Sequence, residues 1–137
     1  MTIIGSLRGA LVACACIVGC GFHTALAAQA YPTKPVRFVV PYPPGGPLDE
    51  IARAVGQRLT AGWGQQVVVD NRSGAGGSIG ADNVAKSPPD GYTMLLGNAG
   101  PITVNPTLRP DLPYAPQRDL APVTQIIAAP MALVVHP

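Results

Sequence analysis

Hydrophobic and polar positions alternate in type along this chain in a way that separates short apolar runs from helical stripes. Val36–Val40 is a β-branched and aromatic run broken only by Arg37 and stopped by Pro41, and it predicts a strand. Pro41-Tyr42-Pro43-Pro44-Gly45-Gly46-Pro47 follows, and its prolines lack the N–H that either a helix or a ladder needs, so it predicts a loop. From Leu48 to Ala61 the apolar side chains fall at Leu48, Ile51, Ala52, Val55 and Leu59, the spacing of one helical face. Asp49 and Glu50 stand in its first turn, Arg58 near its last, and Gly62 and Gly64 beyond it, the order a helix dipole favours.

The same sequence of signals then recurs. Gln66–Asp70 predicts a second strand, Asn71–Ser78 a glycine-rich loop, Ile79–Lys86 a short helix and Pro88–Gly91 a turn. Tyr92–Leu96 predicts a third strand and Gly97–Gly100 a third loop of small residues. Pro101–Leu108 reads as a helical turn broken by Pro106. A connection carrying Pro110, Pro113 and Pro116 leads to a last apolar stretch, Val123–Val135, split by Pro130. Strand–helix–strand–helix–strand predicts an α/β fold with a parallel sheet and right-handed crossovers.

The first thirty residues change the compartment rather than the fold. Arg8 precedes the uncharged, small and apolar stretch Gly9–Gly21, and Ala25–Ala30 offers A-x-A sites ending at Ala27 or Ala30. This order predicts a secretory signal peptide over residues 1–30, and the apolar core falls short of the roughly 20 residues a membrane-spanning helix needs. All three cysteines (Cys14, Cys16, Cys20) lie inside it, so the mature chain would hold no disulfide, thiolate metal site or cysteine nucleophile. Ile17-Val18-Gly19-Cys20 also matches a lipobox, which would anchor the chain through a lipid at Cys20; either route exports it.

Composition narrows the classes left. Removing residues 1–30 of the 137 leaves 107, enough for one modest domain with a core. Charged residues make up 12% of the chain, and its nine Lys and Arg against seven Asp and Glu form no basic run, which argues against nucleic acid as a partner. Gly74-x-Gly76-x-x-x-Gly80 only loosely imitates a dinucleotide fingerprint and lacks its acidic partner at a strand end, so a nucleotide-cofactor enzyme is a weak alternative. No phosphate-cradling P-loop motif occurs. His136 is the single histidine after residue 30, so no catalytic set, no metal site and no cofactor is expected. Asp49 and Glu50 are adjacent on a helix and diverge; the helix dipole explains them better than acid–base work.

The three loops carry the functional expectation. Each follows the carboxyl end of a strand, and in a parallel sheet those ends share one edge, where ligands of open α/β sheets bind. Two of the loops lead into helix N-termini, whose unpaired N–H groups favour anions, and glycine lets a ligand approach the backbone. The pattern therefore predicts a rim that binds a small carboxylate or similar anion mainly through backbone amides.

Several ordered motifs then carry a resemblance. Tyr31-Pro-x-Lys-Pro-Val-Arg-Phe-Val-Val-Pro-Tyr-Pro-Pro-Gly-Gly46, Asp49-x-Ile51-Ala52-Arg53, Gly64–Arg72, Gly74–Gly77, Ile79–Ala81, Val84–Lys86, Pro88–Thr93, Asn105-Pro106 and Asp119–Thr124 stand in register with mature substrate-binding proteins of tripartite tricarboxylate transporters. The chain resembles this TctC-like or Bug family along essentially all of residues 31–137. The resemblance implies a periplasmic-binding-protein-like (type II) lobe, monomeric and periplasmic, that takes up a small organic acid without chemistry and hands it to membrane transporter subunits. An exported module delivering its ligand to a signalling receptor is the alternative. It implies ligand contacts at Tyr42, Pro43, Pro44, Gly45, Gly46, Ser78, Asn98, Ala99 and Gly100. Family members run to more than twice the length of residues 31–137, so this stretch would be the N-terminal part of the first lobe, ending near the crossover to a second lobe that lies outside the chain. Pro47, Leu48 and Pro101 replace the small, hydroxyl and threonine residues usual at those places, which leaves the identity of the solute open.

Overall fold

The computed structural model describes residues 31–129 and 132–136; the expected signal segment, with its cysteines, lies outside the described residues, as do Pro130 and Met131. Strand β1 (Val36–Val40) takes the span its apolar run predicts. Helix α1 (Pro47–Trp63) begins with proline at its first turn, where the missing N–H has no intrahelical partner to lose, and ends at Gly64 in the left-handed conformation, φ 68°. Strand β2 (Val67–Asn71), helix α2 (Ser78–Ala85) and strand β3 (Thr93–Leu95) follow.

The three strands form one parallel sheet in the order β2-β1-β3, with Val36 opposite Val67 and Arg37 opposite Thr93. The first strand is thus the central one, and it is buried almost throughout: Val36, Val39 and Val40 expose nothing and Phe38 4% of its surface. Side chains alternate across a strand, so Val36, Phe38 and Val40 share one face. That face carries the core, where Ala52, with Leu48, Ile51, Val55 and Leu59 of α1, packs against them. Gly56 brings α1 close to β2, since a Cβ there would stand 3.2 Å from Val67 Cγ1. Thr60 then locks the helix end to the strand: its hydroxyl donates to Gly56 O at 2.8 Å and accepts from Val67 N–H at 3.0 Å.

Helix α2 covers the opposite face, that of Arg37, Val39 and Pro41. Arg37 reaches Asp70 at 3.1 Å and Ser87, just past α2, at 3.3 Å. Gly80 is the contact point: a Cβ there would lie 2.8 Å from Pro41 Cβ, 2.9 Å from Pro41 Cα and 3.0 Å from Arg72 O. Helices on both faces of a parallel sheet define a doubly wound arrangement.

Two differences from the expected elements have physical causes. Pro106 does not break the helical turn. The backbone makes one wide π-type turn over Gly100–Val104 and continues as a short helix α3 (Asn105–Leu108), so the proline falls in a first turn where no N–H is required. A further helical turn, α4 (Pro116–Asp119), forms within the proline-rich connection, where Asp119 Oδ2 accepts Ala115 N–H at 2.8 Å. Tyr114, 4% exposed, pins this connection beneath the third loop by donating to Pro101 O at 2.8 Å. The described residues of Val123–Val135 form no helix or strand, and Val123, Leu133, Val134 and Val135 are largely exposed. Among the described residues no helix is long and apolar enough to cross a membrane.

Candidate functional site

Because β1 is central, the chain leaves it toward β2 on one side and reaches β3 on the other, and the crevice between such divergent loops is where open α/β sheets bind ligands. A shallow cleft of about 210 Å³ opens at this point. Tyr42, Pro43, Gly46, Pro47, Leu48 and Asp49 line it from the loop after β1 and the start of α1, and Asn98 from the loop after β3.

One hydrogen-bond chain joins the two loops. Tyr42 Oη–H donates to Asn98 Oδ1 at 2.9 Å, and Gly100 N–H donates to the same oxygen at 3.2 Å. With its oxygen engaged twice, the Asn98 carboxamide is oriented, and its Nδ2 keeps two donors without a partner among the described residues. A Cβ on Gly100 would come within 2.9 Å of Tyr42 Oη and so press on the phenol that orients Asn98.

A second network lies behind the β1 loop. Asp49, 4% exposed, accepts Gly45 N–H and Arg53 Nε on Oδ2 at 2.9 and 3.0 Å, and Asn71 Nδ2 on Oδ1 at 3.0 Å. Asn71 Nδ2 also donates to Tyr42 O at 3.2 Å, and Arg53 Nη2 donates to Asn71 Oδ1 at 3.4 Å. The Arg53 hydrogen bond, then that of Gly45 N–H, with a smaller part from Asn71, holds the Asp49 carboxyl at about 2, against an ordinary 3.8. A carboxyl lowered on folding stabilises the fold above its ordinary pKa and loses that contribution as pH falls through the folded value. The stability gap between wild type and Asp49→Asn, measured by urea unfolding, is therefore expected to be constant above pH 5 and to close between about pH 4 and 2. A gap that stays constant down to pH 2 would show that the charge of Asp49 contributes nothing.

The glycine-rich loop after β2 is braced differently. Gly76 and Gly77 take φ values of 64° and 91°, and a Cβ on Gly77 would meet Pro101 Cγ at 3.2 Å. Asn105 Nδ2 donates to Gly76 O at 3.0 Å and to Ser78 Oγ at 2.9 Å, so it ties this loop to the segment following β3.

Of the residues singled out in the sequence, the cleft brings together Tyr42, Pro43, Gly46 and Asn98. Pro44, Gly45, Ala99 and Gly100 stand on the same two loops, but the Gly45 and Gly100 amides are already engaged by Asp49 and Asn98. The Gly46 amide carries no hydrogen bond among the described residues. Ser78 is buried, 5% exposed, with its hydroxyl held by Asn105, and it does not line the cleft. Sequence reasoning passed over Asp49 as a hub, although the Asp49–Arg53 spacing of four is itself a pairing signal. Nothing in the local pattern marks Asn71 or Asn105. Among the described residues no group of His, Cys, Asp and Glu is placed to hold a metal ion.

A doubly wound α/β layer with its crevice at the strand switch is the architecture of a periplasmic-binding-protein lobe, and solved structures of that class match it. A structure described as a periplasmic transporter superposes with a TM-score of 0.62 at 51% identity, over 64% of this chain and 29% of that one. MatC of Rhodopseudomonas palustris, with bound malate, superposes at 0.61 and 37% identity over 65% of this chain and 30% of its own. An R. palustris protein with adipate gives 0.50 at 48% identity, over 51% and 23%. Residues 51–137 match the model of the tripartite tricarboxylate transporter family receptor, TctC, and the chain belongs to that family. Protein BugT of Bordetella pertussis is 43% identical over 122 residues, 88% of this chain and 37% of BugT. A UPF0065 protein of Pseudomonas sp. strain P51 is 47% identical over 107 residues, 78% of this chain and 32% of its own. The chain thus spans about a third of the length of these curated relatives.

Proposed function

We propose that this protein is a non-catalytic, exported receptor that captures a small carboxylate or related organic solute for a tripartite tricarboxylate-type transporter. The observation that carries the reading is the cleft at the strand switch, a space the size of a small organic acid, lined by Asn98 and Gly46, whose Nδ2 and backbone N–H donors are unengaged among the described residues. Donors fixed in advance suit a carboxylate, whose oxygens only accept. The malate-bound and adipate-bound relatives support the same ligand class. In this reading residues 1–30 are a signal peptide and residues 31–137 the N-terminal part of a first lobe. A second lobe would close the open side of the cleft, since small-molecule sites bury most of their ligand. A periplasmic, monomeric protein that docks on membrane transporter subunits completes the reading.

Calorimetry with malate and adipate is the test. The protein expressed from its complete coding sequence is expected to bind at least one of them with a Kd at or below about 10 μM, and residues 31–137 alone to show no thermal stabilisation by either. Absence of carboxylate binding by the complete protein would sink the ligand class. Clear stabilisation of residues 31–137 alone would sink the need for a second wall.

A further inference from the structure

The cleft poses an electrostatic problem for the ligand class just proposed. Asp49, a nearly buried residue with an ionised side chain, is among its lining residues, and a like charge beside an anionic ligand repels it. The geometry around Asp49 supplies an answer. Both carboxylate oxygens are engaged by donors: Arg53 Nε and Gly45 N–H on one, Asn71 Nδ2 on the other. Arg53 is the only charged donor of the three. Its guanidinium also bonds Asn71, closing a ring of Asp49, Arg53 and Asn71 that spans α1 and the end of β2. Through Gly45 N–H and Tyr42 O the ring holds the loop that forms one side of the cleft.

We propose that Arg53 is a positioning and charge-compensating residue of the ligand site: it anchors and cancels the Asp49 carboxylate, so that an anion is admitted to a cleft with a carboxylate in its wall. This inference rests on the proposed capture of a carboxylate. The other groups that bond Asp49 or share the cleft lining with it carry no compensating charge. From the loop after β1 come the Tyr42 phenol and the Gly45 amide, from β2 the neutral Asn71, and from the loop after β3 the neutral Asn98. Glu50, its neighbour on α1, is exposed and adds negative charge, and Arg72 is bonded to Asp70 instead. The residue that would be lost in a purely structural reading, Arg53, is half-exposed, with 52% of its side chain open to water, so its removal leaves no cavity in the core.

The test uses the protein expressed from its complete coding sequence, with malate as probe, in four forms: wild type, Arg53→Gln, Asp49→Asn and the double variant. Arg53→Gln keeps a hydrogen-bonding side chain but removes the charge, and malate affinity is expected to fall about tenfold or more. In the double variant the uncompensated carboxylate is gone as well, and affinity is expected to return to within about threefold of wild type. A merely structural role predicts the reverse, with the double variant the weakest of the four. In parallel, a carbon-13 titration of the Asp49 carboxyl is expected to move up into the ordinary carboxylate range in Arg53→Gln. Unchanged malate affinity in Arg53→Gln, a double variant weaker than both singles, or an Asp49 titration that does not move would each overturn the proposal while leaving carboxylate capture intact. Failure of wild type to bind malate or adipate would instead remove the function on which it rests.

Discussion

Gly80→Ala is expected to lower stability by about 3 kcal/mol, the upper end of what overpacking costs. A Cβ at that position would lie within 3.0 Å of Pro41 Cα, Pro41 Cβ and Arg72 O. Two of those three atoms belong to backbone, at the ends of β1 and β2, so no side-chain rotation relieves the clash. Helix α2 must lift from the sheet, and it carries Ala81, which is fully buried, away with it. For a domain of this size the loss corresponds to a melting temperature lower by about 12–24 °C. Urea unfolding at neutral pH measures it. A change below about 0.5 kcal/mol, the range of a surface substitution, would show that α2 does not need this approach.

Phe38→Ala is the second large effect, about 3–5 kcal/mol, the usual cost of truncating a buried phenylalanine. Phe38 is 4% exposed at the middle of the central strand and belongs to the cluster that joins β1 to α1 through Ala52 and to the end of β3 through Leu96. The cavity would open between sheet and helix, behind the loop that bears Tyr42 and Gly46. Phe38→Leu restores most of the volume and is expected to cost less than about 1.5 kcal/mol. Equal losses for the two variants would mean that packing volume at this position is not what Phe38 contributes.

Much of the fold was legible because burial imposes periodicity. Leu48–Leu59 reads as a helix because that geometry gathers its apolar side chains on one side, and Val36–Val40 as a strand because it is short, rich in valine and stopped by Pro41. The helix ran on to Trp63, past the expected Ala61, because Gly62 is tolerated within a last turn and Gly64 makes the left-handed stop. Pro106 misled because a proline ends a helix only when it falls in the interior, and the wide turn before it made that position a first turn. The candidate site was legible at the level of loops and not of bonds. Glycine and proline announced where the chain turns at the carboxyl ends of the strands. That Gly45 spends its amide on Asp49, and Gly100 its amide on Asn98, depends on side chains 4 residues away and on an asparagine whose orientation a third residue, Tyr42, decides. Asn71 and Asn105 are further still from local detection, because each joins segments far apart in the chain and leaves no mark on the pattern around it.

The place of β1 in the sheet also sets the order in which this molecule can assemble. The strand that comes first in the chain is flanked on both sides by strands that come later, one beginning at Val67 and the other at Thr93. Until residue 93 is available, a largely apolar strand of five residues has at least one row of backbone donors and acceptors unmatched by its native neighbour. Pairings between such distant residues form late and slowly, because the loop between them must close before any bond rewards it. A sheet wired this way is assembled last at its centre: the strand made first is the one that waits longest for its partners.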